Sequence, residues 1–168
     1  MATAYIGIGS NIGDRLKNCA RAAEEIAAIP GIRAGNCSEW FLTRPVGVEG
    51  QEWYMNGALE VKTDVPPRRL LDQLLEVEKG MGRVRTERRG PRIIDLDLLL
   101  FGNEVIREQG LFVPHPLLHL RRFVLVPLVQ LAPEFRHPIL GKNMAELLRE
   151  LPEGEQDVVP LKGSECCA

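Results

Sequence analysis

The chain has 168 residues, 45% of them hydrophobic and 26% charged, with a formal net charge of −2. This fits one domain with a sizeable core and excludes a disordered chain or one that holds nucleic acid by bulk attraction. No apolar run approaches the length of a membrane span, and the N-terminus enters a strand pattern with no charged leader, so a cytoplasmic protein is expected.

Ala2 to Gly9 alternates around Tyr5, Ile6 and Ile8 and predicts a first strand. Ser10, Asn11, Gly13 and Asp14 make a turn, with Asp14 placed to cap a helix. Leu16, Cys19, Ala20, Ala23, Ile26 and Ala27 then recur at helical spacing until Pro30 and Gly31. Ile32 to Thr43 predicts a second strand and Trp53 to Thr63 a third, antiparallel to it. The connection between them, Arg44 to Glu52, is longer than a tight hairpin, and such loops usually have a binding task. Asp64 is expected to cap a helix that opens at Pro66 and Pro67 and buries Leu70, Leu74, Val77 and Met81. A fourth strand follows the arginine loop, and Gly102-Asn103 turns the chain into a short strand, Glu104 to Ile106. Leu117 to Leu131 is expected to be helical, with a turn or break at Pro127. Met144 to Leu151 is a short helix capped by Asn143.

The order strand, helix, strand, strand, helix, strand predicts an α+β, ferredoxin-like βαββαβ core. In it an antiparallel sheet carries two helices on one face, the first and fourth strands are central neighbours, and helical additions follow at the C-terminus. Residues 1–151 form the expected single domain, and 152–168 a loose polar tail. Cys19 and Cys37 are expected as buried thiols, and Cys166 and Cys167 as part of the tail.

The chemistry concentrates between Arg83 and Phe101. Arg83, Arg85, Arg88, Arg89 and Arg92 crowd one loop, and an apolar run carrying Asp95 and Asp97 follows. Residues two apart on a strand share a face, so the aspartates stand side by side while Ile94, Leu96 and Leu98 face the core. Adjacent carboxylates repel unless a cation lies between them, and magnesium accepts such a pair together with water and phosphate oxygens. The arginines offer planar forks for the same phosphates. A magnesium-nucleotide site therefore competes with a plain strand whose aspartates face water beside a solvated basic loop. There is no Walker A loop, and Gly7, Gly9 and Gly13 only loosely echo a dinucleotide fingerprint. His115 lies between two prolines and is either a ligand-facing donor or a structural histidine. His119 reads as part of a solvated face, and Arg121 is ambiguous. Asn56 has the donors and acceptor to match a planar heterocycle, and Phe123 could stack on one; a polar strand residue and a core aromatic are the plain alternative.

Taken together, AYIGIGSNIG (4–13), TRPVG with WYMN (43–56), GRVR with GPRIIDLDLLLFGN (82–103) and VPHP with RRFVLVPL (113–133) resemble the 6-hydroxymethyl-7,8-dihydropterin pyrophosphokinases of folate biosynthesis. The likeness spans Thr3 to Leu148. It implies the ferredoxin-like fold and transfer of pyrophosphate from ATP to the hydroxymethyl group of a reduced pterin, with release of AMP. It implies two magnesium ions held by Asp95 and Asp97, and catalytic roles for Arg83 and Arg92 beside them. It implies Thr43, Pro45, Tyr54, Asn56 and Phe123 around the pterin. Gln73, Glu78, Arg83, Arg85, Arg92, His115 and Arg121 would surround the ATP. Small-molecule substrates, no nucleic acid, no membrane and a monomer complete the expectation. Arg89 stands where many members carry tryptophan, and its guanidinium plane offers a stacking surface in place of the ring. The competing classes are another magnesium-dependent transferase on the same fold, a non-catalytic ferredoxin-like binding module, and RNA binding by the sheet, which the shortage of aromatics among the basic residues disfavours.

Overall fold

The first strand, β1 (Ala2–Ser10), sends Ala4, Ile6 and Ile8 into one hydrophobic cluster and Tyr5 into another on the opposite face. The computed structural model describes residues 1–45, 50–84, 91–154 and 156–165. Helix α1 (Arg15–Ala27) begins where Asp14 accepts a hydrogen bond from the Lys17 amide at 3.1 Å, as expected of its cap. It buries Cys19, Ala22, Ala23 and Ile26, leaving Leu16 exposed.

The predicted second strand is two strands. β2 (Ile32–Cys37) and β3 (Glu39–Thr43) both pair antiparallel with β4 (Tyr54–Thr63), interrupted at buried Ser38. There the Ser38 hydroxyl accepts from the Ala58 amide at 2.8 Å, so a side chain replaces a ladder bond. Helix α2 (Pro67–Gly80) is capped by Pro66 rather than Asp64, whose carboxylate instead meets the N-terminal ammonium at 3.4 Å. Pro67 sits at the first helical position, where its missing N–H costs nothing. Leu70, Leu74 and Met81 are buried and Val77 packs against them.

β5 (Asp95–Phe101) follows the arginine loop. The next pairing is a separate hairpin, β6 (Ile106–Glu108) with β7 (Leu111–Val113), two residues later than the expected strand; Gly110, at φ 76°, makes its turn. A 3-10 turn (Leu118–Leu120) leads into α3 (Arg122–Leu131), and Pro127 lies inside this helix without ending it. α4 (Met144–Glu150) is capped by Asn143, which accepts from the Glu146 amide at 2.8 Å.

The sheet runs β5-β1-β4-β3-β8, with β2 also paired to β4. β1 and β5 are neighbours, as expected, but β1 and β4 are the central pair and β5 is at an edge. β8 (Val158–Glu165) corrects the expectation of a loose tail: it pairs antiparallel with β3. Pro160 is admissible because it sits on an edge strand. α1 and α2 cover one sheet face, and α3 and α4 pack on part of the other with Tyr5, Ala58, Leu99 and Leu100. The result is three layers, with the N-terminal part of β5 and its neighbours left open on the α3 side. Cys19 is a free buried thiol, whereas Cys37 is disulfide-bonded rather than free. Cys166 and Cys167 lie outside the described residues. No described helix is long and apolar enough to cross a membrane.

Candidate active site

The site follows from one row of residues across three strands. Asp95 on β5 stands opposite Gly9 on β1, and Gly9 stands opposite Asn56 on β4. In the next row Asp97 faces Gly7, which faces Ala58. Paired residues share a sheet face, so acid and amide columns flank a column of glycine two strand spacings, about 10 Å, across. Gly7 and Gly9 contribute no side chain, and the gap becomes a trough. A methyl group at Gly9 would collide with Asn56 Oδ1. Gly9→Ala is therefore expected to displace the Asn56 amide and to weaken binding in the trough at least tenfold, while the strand still pairs. Calorimetric titration of the variant with the reduced pterin expected from the sequence resemblance measures it, and unchanged affinity would refute the role given to the glycine.

The trough is the floor of a pocket of about 380 Å³. One wall is Thr43, Arg44 and Pro45; the other is Leu117, Leu120, Arg121, Phe123 and Val124. Tyr54, Asn56, Arg92, Asp95 and Asp97 also line it. All five residues expected around the pterin are thus brought to one cavity. Asn56 is fixed there, because its Nδ2 donates to buried Thr43 Oγ1 at 2.6 Å. Arg121 lies over the Phe123 ring at 5.5 Å.

At the acidic edge the two aspartates differ. Asp95 accepts from Arg83 at 2.8 Å through Oδ1 and from Arg92 at 2.9 Å through Oδ2. Arg83 is only 7% exposed and also pairs with the buried Glu78, whose carboxylate accepts the Leu96 amide at 2.8 Å. Glu78 and Arg83 therefore brace the start of β5 from behind. Asp97 has neither arginine: among the described residues the cation candidate nearest to it is His115, with Nε2 at 4.0 Å. Burial, and next the charge of Asp95, push the Asp97 carboxyl up to about 7. Burial, then Arg121, push the His115 imidazole down to about 4, so it is neutral near pH 7. The Leu117 amide donates to His115 Nδ1 at 3.2 Å, which leaves the Nε2 edge for Asp97.

This donor set fits a hard divalent cation. Two carboxylates sit on one strand face, and the one facing a neutral imidazole is held charged only at a cost that a cation would remove.

Gln73 is not brought to the pocket. It lines a separate groove between α1 and α2 with Arg21, Glu25 and Glu76. Arg85 and Arg89 lie outside the described residues. Sequence reasoning missed Asn11, which it took for a turn residue. Asn11 is 3% exposed; its Oδ1 accepts from the Arg92 amide at 2.7 Å and its Nδ2 donates to Gln51 Oε1 at 3.2 Å. It ties the end of the arginine loop to the end of the loop before β4. Its one visible signal was an amide side chain at the end of a buried strand.

A protein-family model described as 7,8-dihydro-6-hydroxymethylpterin-pyrophosphokinase (HPPK) matches residues 5–133. A 2-amino-4-hydroxy-6-hydroxymethyldihydropteridine pyrophosphokinase of Methylorubrum extorquens is 41% identical over 159 residues, covering 94% of this chain and 99% of the relative. One of the same name from Synechocystis is 38% identical over 148 residues, covering 88% and 75%. The crystal structure of Plasmodium falciparum HPPK-DHPS A437G with STZ-DHP superposes with a TM-score of 0.73 at 15% identity. It covers 89% of this chain, which spans only 45% of that longer one, and speaks for the ferredoxin-like fold alone. The acid-and-arginine edge, the heterocycle-sized trough beside it and these likenesses agree: the chain belongs to the 7,8-dihydro-6-hydroxymethylpterin-pyrophosphokinase family.

Proposed function

We infer that the chain transfers the terminal pyrophosphoryl group of ATP to the hydroxymethyl group of 6-hydroxymethyl-7,8-dihydropterin, releasing AMP, in folate biosynthesis. One observation carries it: a single cavity joins an amide-lined trough to the edge where Asp95, Asp97 and Arg92 converge. The substrates divide between the two ends by chemistry. The pterin lies in the trough, its polar edge against the Asn56 amide, between Pro45 and Phe123. The triphosphate lies along the charged edge, where Arg92 and Arg121 offer guanidinium forks. Asp95 and Asp97 would hold two magnesium ions. Bound there, they would neutralise the triphosphate and polarise the oxygens that attack and leave in the in-line displacement.

The chain's own residues supply positioning. Glu78 and Arg83 fix Asp95; Thr43 fixes Asn56; Asn11 fixes the backbone of Arg92. His115, neutral near pH 7, presents an N–H edge to Asp97 without competing as a cation. Small-molecule substrates support a cytoplasmic place.

Purified protein given ATP, magnesium and the reduced hydroxymethylpterin should form AMP and pterin diphosphate in equal amounts. ADP as the product would make it a different transferase on this fold. No turnover at all, with the pterin still bound, would make it a binding module.

A further inference from the structure

We propose that Gln156 and Asp157 strap the two walls of the substrate pocket together, and that Gln156 is a positioning residue for Arg121 in the reaction inferred above. The start of α3 is unusual. Its N-cap, Arg121, is extended at φ −116°, ψ 107° and makes no side-chain capping bond. The capping acceptor comes from 34 residues downstream: the Arg122 amide donates to Gln156 Oε1 at 2.8 Å. The same carboxamide returns a bond, Gln156 Nε2 donating to the Leu120 carbonyl at 3.1 Å. These two peptide groups are the ones on either side of Arg121. One side chain therefore fixes both ends of the residue whose guanidinium lies over Phe123 at the pocket wall.

The adjoining residue grips the opposite wall. The Arg44 amide donates to the Asp157 carbonyl at 3.1 Å, and the two side chains form an ion pair at 2.7 Å. Arg44 also lies over the Trp53 ring at 5.5 Å. The ion pair is more than a third exposed on both sides and contributes little alone, but the backbone bond gives it a fixed direction. Consecutive Cα atoms are about 3.8 Å apart, so a dipeptide that holds Arg44 with one residue and Leu120–Arg122 with the next sets the width between the walls. Pairing of β8 with β3 anchors the strap immediately downstream, at Val158 opposite Thr43.

The test uses the full chain with Gln156→Met, which keeps the side chain's length and removes its hydrogen bonds, and Gln156→Ala beside it. Losing an N-cap acceptor is expected to raise the KM for ATP about fivefold in both variants, with kcat changed less than about twofold. Exchange of the Arg122 amide, read by NMR without substrate, should quicken by a similar factor. A wild-type KM in Gln156→Met, or a rise that only tracks loss of folded protein, overturns the proposal. Undiminished protection at Arg122 overturns it too, whatever the outcome with substrates. Absence of pterin turnover in the unaltered protein would instead reject the function, while the amide exchange still decides the strap.

Discussion

Asp97→Asn should lower pyrophosphoryl transfer by about a thousandfold or more, and should at the same time make the metal-free protein more stable. The two effects have one origin. Asp95 is neutralised on both oxygens by Arg83 and Arg92, but Asp97 faces a neutral imidazole 4.0 Å away. Its carboxyl, ordinarily near 3.8, is pushed up to about 7 by burial and by Asp95. Between those values the native state keeps a proton that the unfolded chain has released. Stability therefore falls as pH rises through this window, and the full loss is present above about pH 7. Asparagine cannot ionise and escapes the loss, so at pH 8 without metal the variant should melt about 2–5 °C higher. His115 acts in the opposite sense below its ordinary value of 6.5, because it is held neutral down to about 4. The difference between variant and wild type at each pH largely removes that contribution. Magnesium should raise the wild-type midpoint more than the variant's. Scanning calorimetry across pH 4–8 with and without magnesium, beside steady-state rates, measures all of this. A variant that turns over normally, or one less stable at pH 8, would falsify the cation assignment.

The acidic edge was legible because it is local. Asp95 and Asp97 are two apart, strand periodicity alone puts them on one face, and Leu96 and Leu98 are buried on the other as that periodicity demands. The core strands and α1, α2 and α4 were legible for the same reason. What escaped is held by partners distant in sequence. The Asn11 side chain meets an amide 81 residues away and Gln156 one 34 residues away, and no pattern around either residue announces it. β8 was hidden by the polar, aperiodic composition of residues 152–168, which reads as a tail, although an edge strand tolerates such a sequence, Pro160 included. Pro127 read as a break, yet the helix runs through it because its apolar face is buried against Tyr5 and Leu100, and packing outweighs one missing hydrogen bond. Arg83 shows the limit of counting charges. It was grouped with the arginines that meet phosphate, but its guanidinium is buried between Glu78 and Asp95.

That burial separates Arg83 from Arg92, and makes Arg92 the arginine whose loss should act on chemistry. Arg92 keeps its backbone place by exchanging hydrogen bonds with Asn11: its amide donates to Asn11 Oδ1 at 2.7 Å, and its carbonyl accepts from the Asn11 amide at 3.0 Å. Both survive replacement by alanine, so Arg92→Ala should leave the loop end and β5 where they are. Only the guanidinium is lost, a group 30% exposed in the pocket that spends one nitrogen on Asp95. In the proposed reaction its remaining donors would serve the group being transferred, and removing such a group from a shielded site costs roughly a hundred- to a thousandfold in rate. Pterin binding should change by less than about threefold, because the trough around Asn56 is fixed by Thr43 and not by Arg92. Arg92→Lys should recover little, since a point charge replaces a planar fork. Single-turnover quench-flow, with pterin affinity measured separately, divides the two effects. Equal losses in rate and affinity would mean that Arg92 shapes the pocket rather than stabilising the transferred group.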